Sequence, residues 1–256
     1  MKRLADRDIE LLNDELETAS TEAILRWAWE TFGPAVAASS SFQTQSIPLL
    51  HIISRVVPEM PIIFLNTGFH FPETLVFRDE LRKTFGLNIR DAQPVMSKKE
   101  LFTRMGNAPY QTDPDLCCFI NKVKPMEEAT KGMDALIAGV RRDQTATRSN
   151  FRVLEKRKSE SLKIHPMLNW TKKDIWAYID KYKLPQHPLL AQGYVSIGCA
   201  PCTRPVFGNQ DERAGRWAGQ EKNECGLHTG TSDLSEISNA TKLVDFISKK
   251  DGDDAA

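Results

Sequence analysis

Apolar residues recur at helical spacing through the first thirty positions, with Ile9, Leu12 and Leu16 followed by Ile24, Leu25 and Trp27. The pattern then changes to short, continuous apolar runs that end in small or polar residues. Ala35 to Ala38 leads into Ser39, Ser40 and Ser41; Pro61 to Leu65 leads into Asn66, Thr67 and Gly68; Asp134 to Ala138 leads into Gly139. Such runs predict buried strands, and Leu87 to Ile89 and Lys163 to Pro166 read as two shorter ones. Helical spacing returns over Ser46 to Val57, over Pro72 to Phe85 with Pro72 in the first turn, over Phe119 to Thr130 and over Trp170 to Tyr182.

Strands alternating with helices predict an α/β protein, a parallel sheet covered by helices on both faces. Beyond Leu184 the pattern loosens into a loop-rich C-terminal segment, and a helix-like stretch from Ser235 to Ile247 precedes an acidic tail expected to be disordered. The organisation expected is a helical segment over 1–30, a main domain over 31–210, a flexible segment over 211–230, and a helix with its tail over 231–256. Ligands of parallel sheets bind beyond the carboxyl ends of the strands. Here three predicted strand ends carry SSS, NTG and GVRR, where backbone N–H groups and helix N-termini favour an anion.

Composition narrows the function classes. The 256 residues are 41% hydrophobic and 27% charged, with zero formal net charge, so nothing global favours nucleic acid or a membrane. No apolar run is long enough to span a bilayer, and the start is too acidic for a signal peptide, which predicts a cytoplasmic protein with reduced thiols. Charge is nonetheless clustered: positions 141–158 hold seven Lys or Arg against two acidic residues. That concentration suits a small anion better than a long polyanion.

The five cysteines divide as four and one. Cys117 and Cys118 are adjacent, Cys199 and Cys202 form a CxxC, and Cys225 stands apart in ECGLH. The CxxC spacing suits a metal, whereas adjacent cysteines are awkward on one ion and suit two irons of a [4Fe–4S] cluster; zinc and buried or redox thiols are the alternatives. Cys225, with Arg213, Arg216, Lys222 and His228 near it in sequence, is a candidate nucleophile; the alternative is an inert surface thiol. Arg142 and Arg148 are candidate anion ligands, and Ser39 to Ser41 read either as a phosphate loop or as a capping cluster. Trp27, Trp170, Trp176, His51, His70 and His165 are assigned to the core. No GxxxxGK[ST] motif occurs.

Taken together, CC followed by a lysine, GVRRDQTATR, QGYVSIGCAPCTRP, ERAGRWAG and ECGLH resemble the assimilatory adenylyl-sulfate reductases, the iron–sulfur branch of the phosphosulfate reductase family, from about Ser39 to Gly230. The resemblance implies a fold like that of the adenine nucleotide alpha-hydrolases, with 31–210 as the nucleotide-binding reductase domain. It also implies a [4Fe–4S] cluster on Cys117, Cys118, Cys199 and Cys202, and Cys225 as the catalytic thiol. SSSFQTQ, with Ser40 and Ser41, is similar to the family's modified phosphate loop. Leu65, Thr67 and Gly68 match its adenosine segment, and Gly139, Arg142 and Arg148 its arginine loop. Lys122 matches the lysine between cluster and substrate, while Arg213, Arg216 and His228 would hold the phosphosulfate.

The implied reaction releases sulfite and AMP from adenylyl sulfate through a Cys225 S-sulfocysteine, which thioredoxin or a similar dithiol protein resolves. A homo-oligomer is left open. The chain departs from the family pattern at Asn121, where arginine is usual, at Asn66 in LNTG, and at His165-Pro166-Met167. Competing readings are a reductase using 3′-phosphoadenylyl sulfate or both nucleotides, a cluster-containing tRNA-thiolating enzyme, and a zinc-stabilised binding module. SSSFQTQ lacks the double glycine and aspartate of the thiolating class.

Overall fold

The three apolar runs predicted to be buried lie side by side at the centre of one sheet. The computed structural model describes residues 4–157, 160–208, 211–220, 222 and 227. Its strands are β1 (Val36–Ser39), β2 (Ile62–Leu65), β3 (Ile89–Ala92), β4 (Ala135–Ala138), β5 (Leu154–Lys156) and β6 (Leu162–Ile164), in the order β3-β2-β1-β4-β6-β5. Every neighbouring pair is parallel except β5 with β6. The helices are α1 (Asp6–Leu16), α2 (Thr21–Phe32), α3 (Ile47–Val56), α4 (Pro72–Phe85), α5 (Lys98–Met105), α6 (Pro109–Thr112), α7 (Pro114–Cys118), α8 (Lys124–Ala129) and α9 (Lys172–Tyr182).

Alternation along the strands explains why the sheet is covered on both faces. Val36, Ala38, Ile62, Phe64, Ala135 and Ile137 enter the main core with residues of α1, α2, α3, α4 and α9. The intervening Ala37, Ile63 and Leu136 face the other way and pack with Met126 of α8. A third, smaller cluster forms away from the sheet around Leu101, Leu116, Phe119, Ile120 and Cys199.

Three strands differ from the sequence expectation, β6 lying at Leu162–Ile164 rather than over Lys163 to Pro166. The third strand runs from Ile89 rather than Leu87, because its central residues are exposed and only the approach to it is apolar. The antiparallel β5 was not anticipated at all, so the sheet is mostly rather than wholly parallel. Its three residues carry little pattern, and its position is fixed from outside: Asn13 of α1 donates Nδ2–H to the Leu154 carbonyl at 3.0 Å and accepts from the Leu154 N–H at 2.8 Å. The predicted Phe119–Thr130 helix is a wider π-type turn over Phe119–Val123 that runs into α8, and the cysteine pair lies just before it at the end of α7.

Register sets the site. Ser39 pairs with Ala138 across β1 and β4, and with Ile63 of β2. The loops that leave β1 and β4 therefore emerge level with each other at the strands' carboxyl ends. With β2 on one side of β1 and β4 on the other, the strand order reverses there, which opens a crevice.

Candidate active site

A cleft of about 920 Å³ occupies that crevice. Ser40 and Ser41 line it from the end of β1, Leu65 and Thr67 from β2, Gly139 and Arg148 from β4 and its loop. Lys122, Arg213 and Arg216 close it from the cysteine-bearing elements.

The loop after β1 is held by its own chemistry. Ser40 Oγ accepts from the Phe42 N–H at 3.1 Å, and Phe42 takes a left-handed φ of 56°. That conformation is strained for a bulky residue. Complete burial of the ring, edge-on to Phe64 at 5.5 Å, offsets the strain. Ser40 thus supports the turn while its loop lines the cleft, and α3, which follows with Ser46 at its N-cap position, starts without a side-chain cap from the serine cluster.

After β2, Gly68 supplies the positive φ of 72° that the turn needs, but does not itself line the cleft. Thr67 is buried; its Oγ1 accepts from the Phe69 N–H at 3.3 Å and lies 3.4 Å from Cys199 Sγ. His70, assigned to the core from sequence, lines the cleft and donates Nε2–H to the Leu65 carbonyl at 2.7 Å. Burial lowers its pKa, which favours the neutral ring. Its position two residues beyond Gly68 at a strand end was the available signal.

The arginine loop separates its cations. Arg148 is buried, lines the cleft and donates to Gln144 Oε1. Arg142 is directed elsewhere: it grips Glu17 at 2.6 and 3.1 Å and the Phe151 carbonyl at 2.9 Å, and is not among the cleft-lining residues. Its guanidinium holds the Glu17 carboxyl below its usual range. Gln144, which sequence reasoning passed over, lines the cleft in its place.

On the far side, segment 203–206 pairs with 215–217: Arg204 N–H donates to the Gly215 carbonyl at 2.8 Å, and Trp217 N–H to the Cys202 carbonyl at 3.0 Å. Trp217 is buried, and the Arg216 guanidinium lies over its ring at 4.5 Å while donating to the Ile197 carbonyl at 3.3 Å. The Nε of Arg216 is buried in the cleft wall without a hydrogen-bond partner among the described residues, a donor suited to an incoming anion. Leu227 of the ECGLH segment also lines the cleft, and its carbonyl accepts from Lys163 Nζ at 3.0 Å. Cys225, His228 and the predicted Ser235–Ile247 helix lie outside the described residues.

All four paired cysteines line a second, much smaller cavity next to the cleft, together with Asn121, Tyr110 and Lys122. Cys117, Cys118 and Cys199 are buried, Cys202 is half-buried, and none is in a disulfide. Burial, reinforced by the neighbouring thiols, pushes the Cys117 and Cys202 thiols up, with Lys122 opposing both shifts. A thiol set of this kind ionises only with a cationic partner. Lys122 and Cys199 line both cavities and so form the wall between them.

A family model described as the phosphoadenosine phosphosulfate reductase domain matches residues 35–205. The chain belongs to this reductase family. Within it, an adenosine 5′-phosphosulfate reductase of Streptomyces coelicolor is 42% identical over 231 residues, covering 89% of this chain and 94% of that protein. One of Geobacillus thermodenitrificans is 41% identical over 214 residues, covering 83% and 91%. The crystal structure of a phosphoadenylyl-sulfate reductase from Candida auris, a phosphate complex, superimposes with a TM-score of 0.69 at 30% identity, covering 78% of this chain and 98% of that one. An FMN adenylyltransferase from Candida glabrata shares the fold at a TM-score of 0.55 and 15% identity, covering 86% of this chain and 78% of the other.

Proposed function

We propose that this member of the reductase family converts adenylyl sulfate to sulfite and AMP in assimilatory sulfate reduction. The observation that carries the reading is the cleft itself: a strand-end loop with Ser40 and Ser41, four lining arginines (Arg148, Arg157, Arg213 and Arg216), and a wall shared with a four-thiol cavity. The names of the Streptomyces and Geobacillus relatives support adenylyl sulfate as the substrate.

In this scheme Leu65 and Thr67 border the adenosine on the turn that Gly68 permits, and Ser40, Ser41, Gly139 and Arg148 the phosphate. Arg213, Arg216 and His228 hold the phosphosulfate, and Lys122 stands between it and the thiol cavity. The Cys225 thiolate attacks the sulfate sulfur, the bond from sulfur to the bridging phosphate oxygen breaks, and AMP leaves with that electron pair. The product on the protein is a Cys225 S-sulfonate. A dithiol protein such as thioredoxin then attacks the Cys225 sulfur and expels sulfite, and its second thiol releases Cys225 as the partner becomes a disulfide. The arginines stabilise charge that grows on the departing phosphate, where fixed cations in a dry cleft act most strongly.

The thiol set suits a [4Fe–4S] cluster on Cys117, Cys118, Cys199 and Cys202 by its donor chemistry, since four soft ligands line one small and largely buried cavity. Bound there, the cluster supplies a fixed electrostatic field beside Lys122. The partner, a cytoplasmic setting and any homo-oligomer belong to the same proposal.

The deciding experiment measures sulfite release from adenylyl sulfate by anaerobically purified protein, with iron and sulfide assayed in the same sample. Cys225→Ser is expected to keep the iron and AMP binding and to lose sulfite formation. Wild-type turnover in that variant removes Cys225 from its role. The name of the Candida auris structure supports a second reading, use of the 3′-phosphorylated nucleotide, and a clear preference for that substrate would establish it.

A further inference from the structure

Three consecutive side chains after the serine loop each reach a different segment around the cleft. Gln43 Oε1 accepts from the Ile197 N–H at 2.8 Å, on the segment leading into the CxxC. Thr44 Oγ1 accepts from the His187 N–H at 3.1 Å. Gln45 uses both ends of its amide: Oε1 accepts from Arg141 Nη1 at 2.8 Å, and Nε2 donates to Glu212 Oε2 at 2.7 Å.

From Gln45 the contacts close into a ring. Glu212 Oε1 pairs with Lys172 Nζ at 2.7 Å, and the Lys172 backbone N–H donates to Asp143 Oδ2 at 2.7 Å. Asp143 Oδ1 returns to Arg141 Nε at 2.8 Å. Arg141 and Gln45 are buried. The ring joins the loop after β1, the arginine loop, the start of α9 and the turn that presents Arg213 and Arg216.

A neutral amide, with its acceptor and donor on separate atoms, can accept from a guanidinium and donate to a carboxylate at the same time. A carboxylate in its place would face Glu212 with like charge, and an apolar side chain would leave Arg141 and Glu212 without their shared partner. Glu212 in turn immediately precedes Arg213 in the chain. Its anchorage fixes where that arginine enters the cleft.

We propose that Gln45 and Glu212 are positioning residues that hold the Arg213–Arg216 turn over the cleft in register with the Arg148 loop. The proposal rests on reading the cleft as a nucleotide site. Its test is the affinity of the full chain for AMP, which needs no turnover, measured together with thermal stability. Gln45→Glu should weaken AMP binding about tenfold, the loss typical of a displaced charge-assisted contact. Glu212→Gln added to Gln45→Glu restores a donor facing an acceptor and should recover affinity to within about threefold of the native protein.

Recovery of affinity, with little change in melting temperature across the set, separates positioning from general loss of structure. If Gln45→Glu fails to fold, Glu212→Ala removes the partly exposed partner alone and carries the same tenfold expectation. Native AMP affinity in Gln45→Glu, or no recovery in the exchanged pair, overturns the proposal. A native chain that does not bind AMP overturns the nucleotide-site reading with it.

Discussion

Replacing Gly198 by alanine should move one cation in the cleft while leaving the fold intact. A Cβ built at Gly198 falls 2.3 Å from Arg216 Nη2, 2.6 Å from Cζ and 3.2 Å from Nε, all atoms at the far end of a flexible side chain. The guanidinium must therefore swing away, giving up its Trp217 stacking and its bond to Ile197. Loss of one charge-assisted hydrogen bond to a bound phosphate corresponds to about 1.5–3 kcal/mol, or roughly ten- to hundred-fold in affinity. Gly215 provides the contrast, because there the Cβ falls 2.2 Å from the Arg204 carbonyl oxygen, a backbone atom. Relieving that clash shifts the paired segments and should cost about 1–3 kcal/mol of stability, at roughly 2–4 °C of melting temperature for each kcal/mol. Calorimetric titration with AMP and differential scanning calorimetry on both variants separate the two effects. Native AMP affinity in Gly198→Ala, or a loss of stability equal to that of Gly215→Ala, would refute the assignment of Arg216 as an anion ligand placed by Gly198.

His187 gives a pH dependence. Its Nδ1 accepts from the Leu189 N–H at 3.2 Å, which leaves Nε2–H to donate to Thr74 at 3.0 Å; burial lowers its pKa from 6.5 to about 4. Below 6.5 the unfolded chain binds the proton that the folded chain refuses, so stability should fall as pH drops from 6.5 towards 4, and His187→Gln should flatten that slope in denaturant titrations. A slope unchanged in the variant counts against this role. Asn13→Ala removes both partners of the Leu154 backbone and should cost about 2–3 kcal/mol in urea unfolding; a loss under half a kcal/mol would show that β5 holds without it. Cys199→Ser should strip iron and sulfide from the anaerobically purified protein, and full metal content in that variant would remove Cys199 from the proposed ligand set.

The central strands were legible because burial on both faces leaves continuous apolar runs, and their ends were legible because small polar residues follow them abruptly. What escaped the sequence was set by contacts distant along the chain. Strand β5 owes its place to Asn13, 141 positions away. Arg141 and Arg142 are adjacent and chemically identical in sequence. The extended backbone at Arg141 sends them to opposite sides, one to Gln45 and the other to Glu17. The four paired cysteines could be grouped by residue type alone, because few other chemistries require two tight pairs. His70 and Gln144 carried no such signature, being single polar residues whose importance appears only when the cleft is formed.

Among the described residues, the sulfur-lined cavity draws its packing from a satellite cluster of eight buried residues that shares none of them with the two sheet cores. The packing around the thiols is therefore separable from that of the sheet. A lineage can exchange these thiols for apolar side chains and refill their small void while every strand keeps its register and the anion cleft its floor. The wall residues common to both cavities, Lys122 and Cys199, are where such an exchange would first be felt by the substrate.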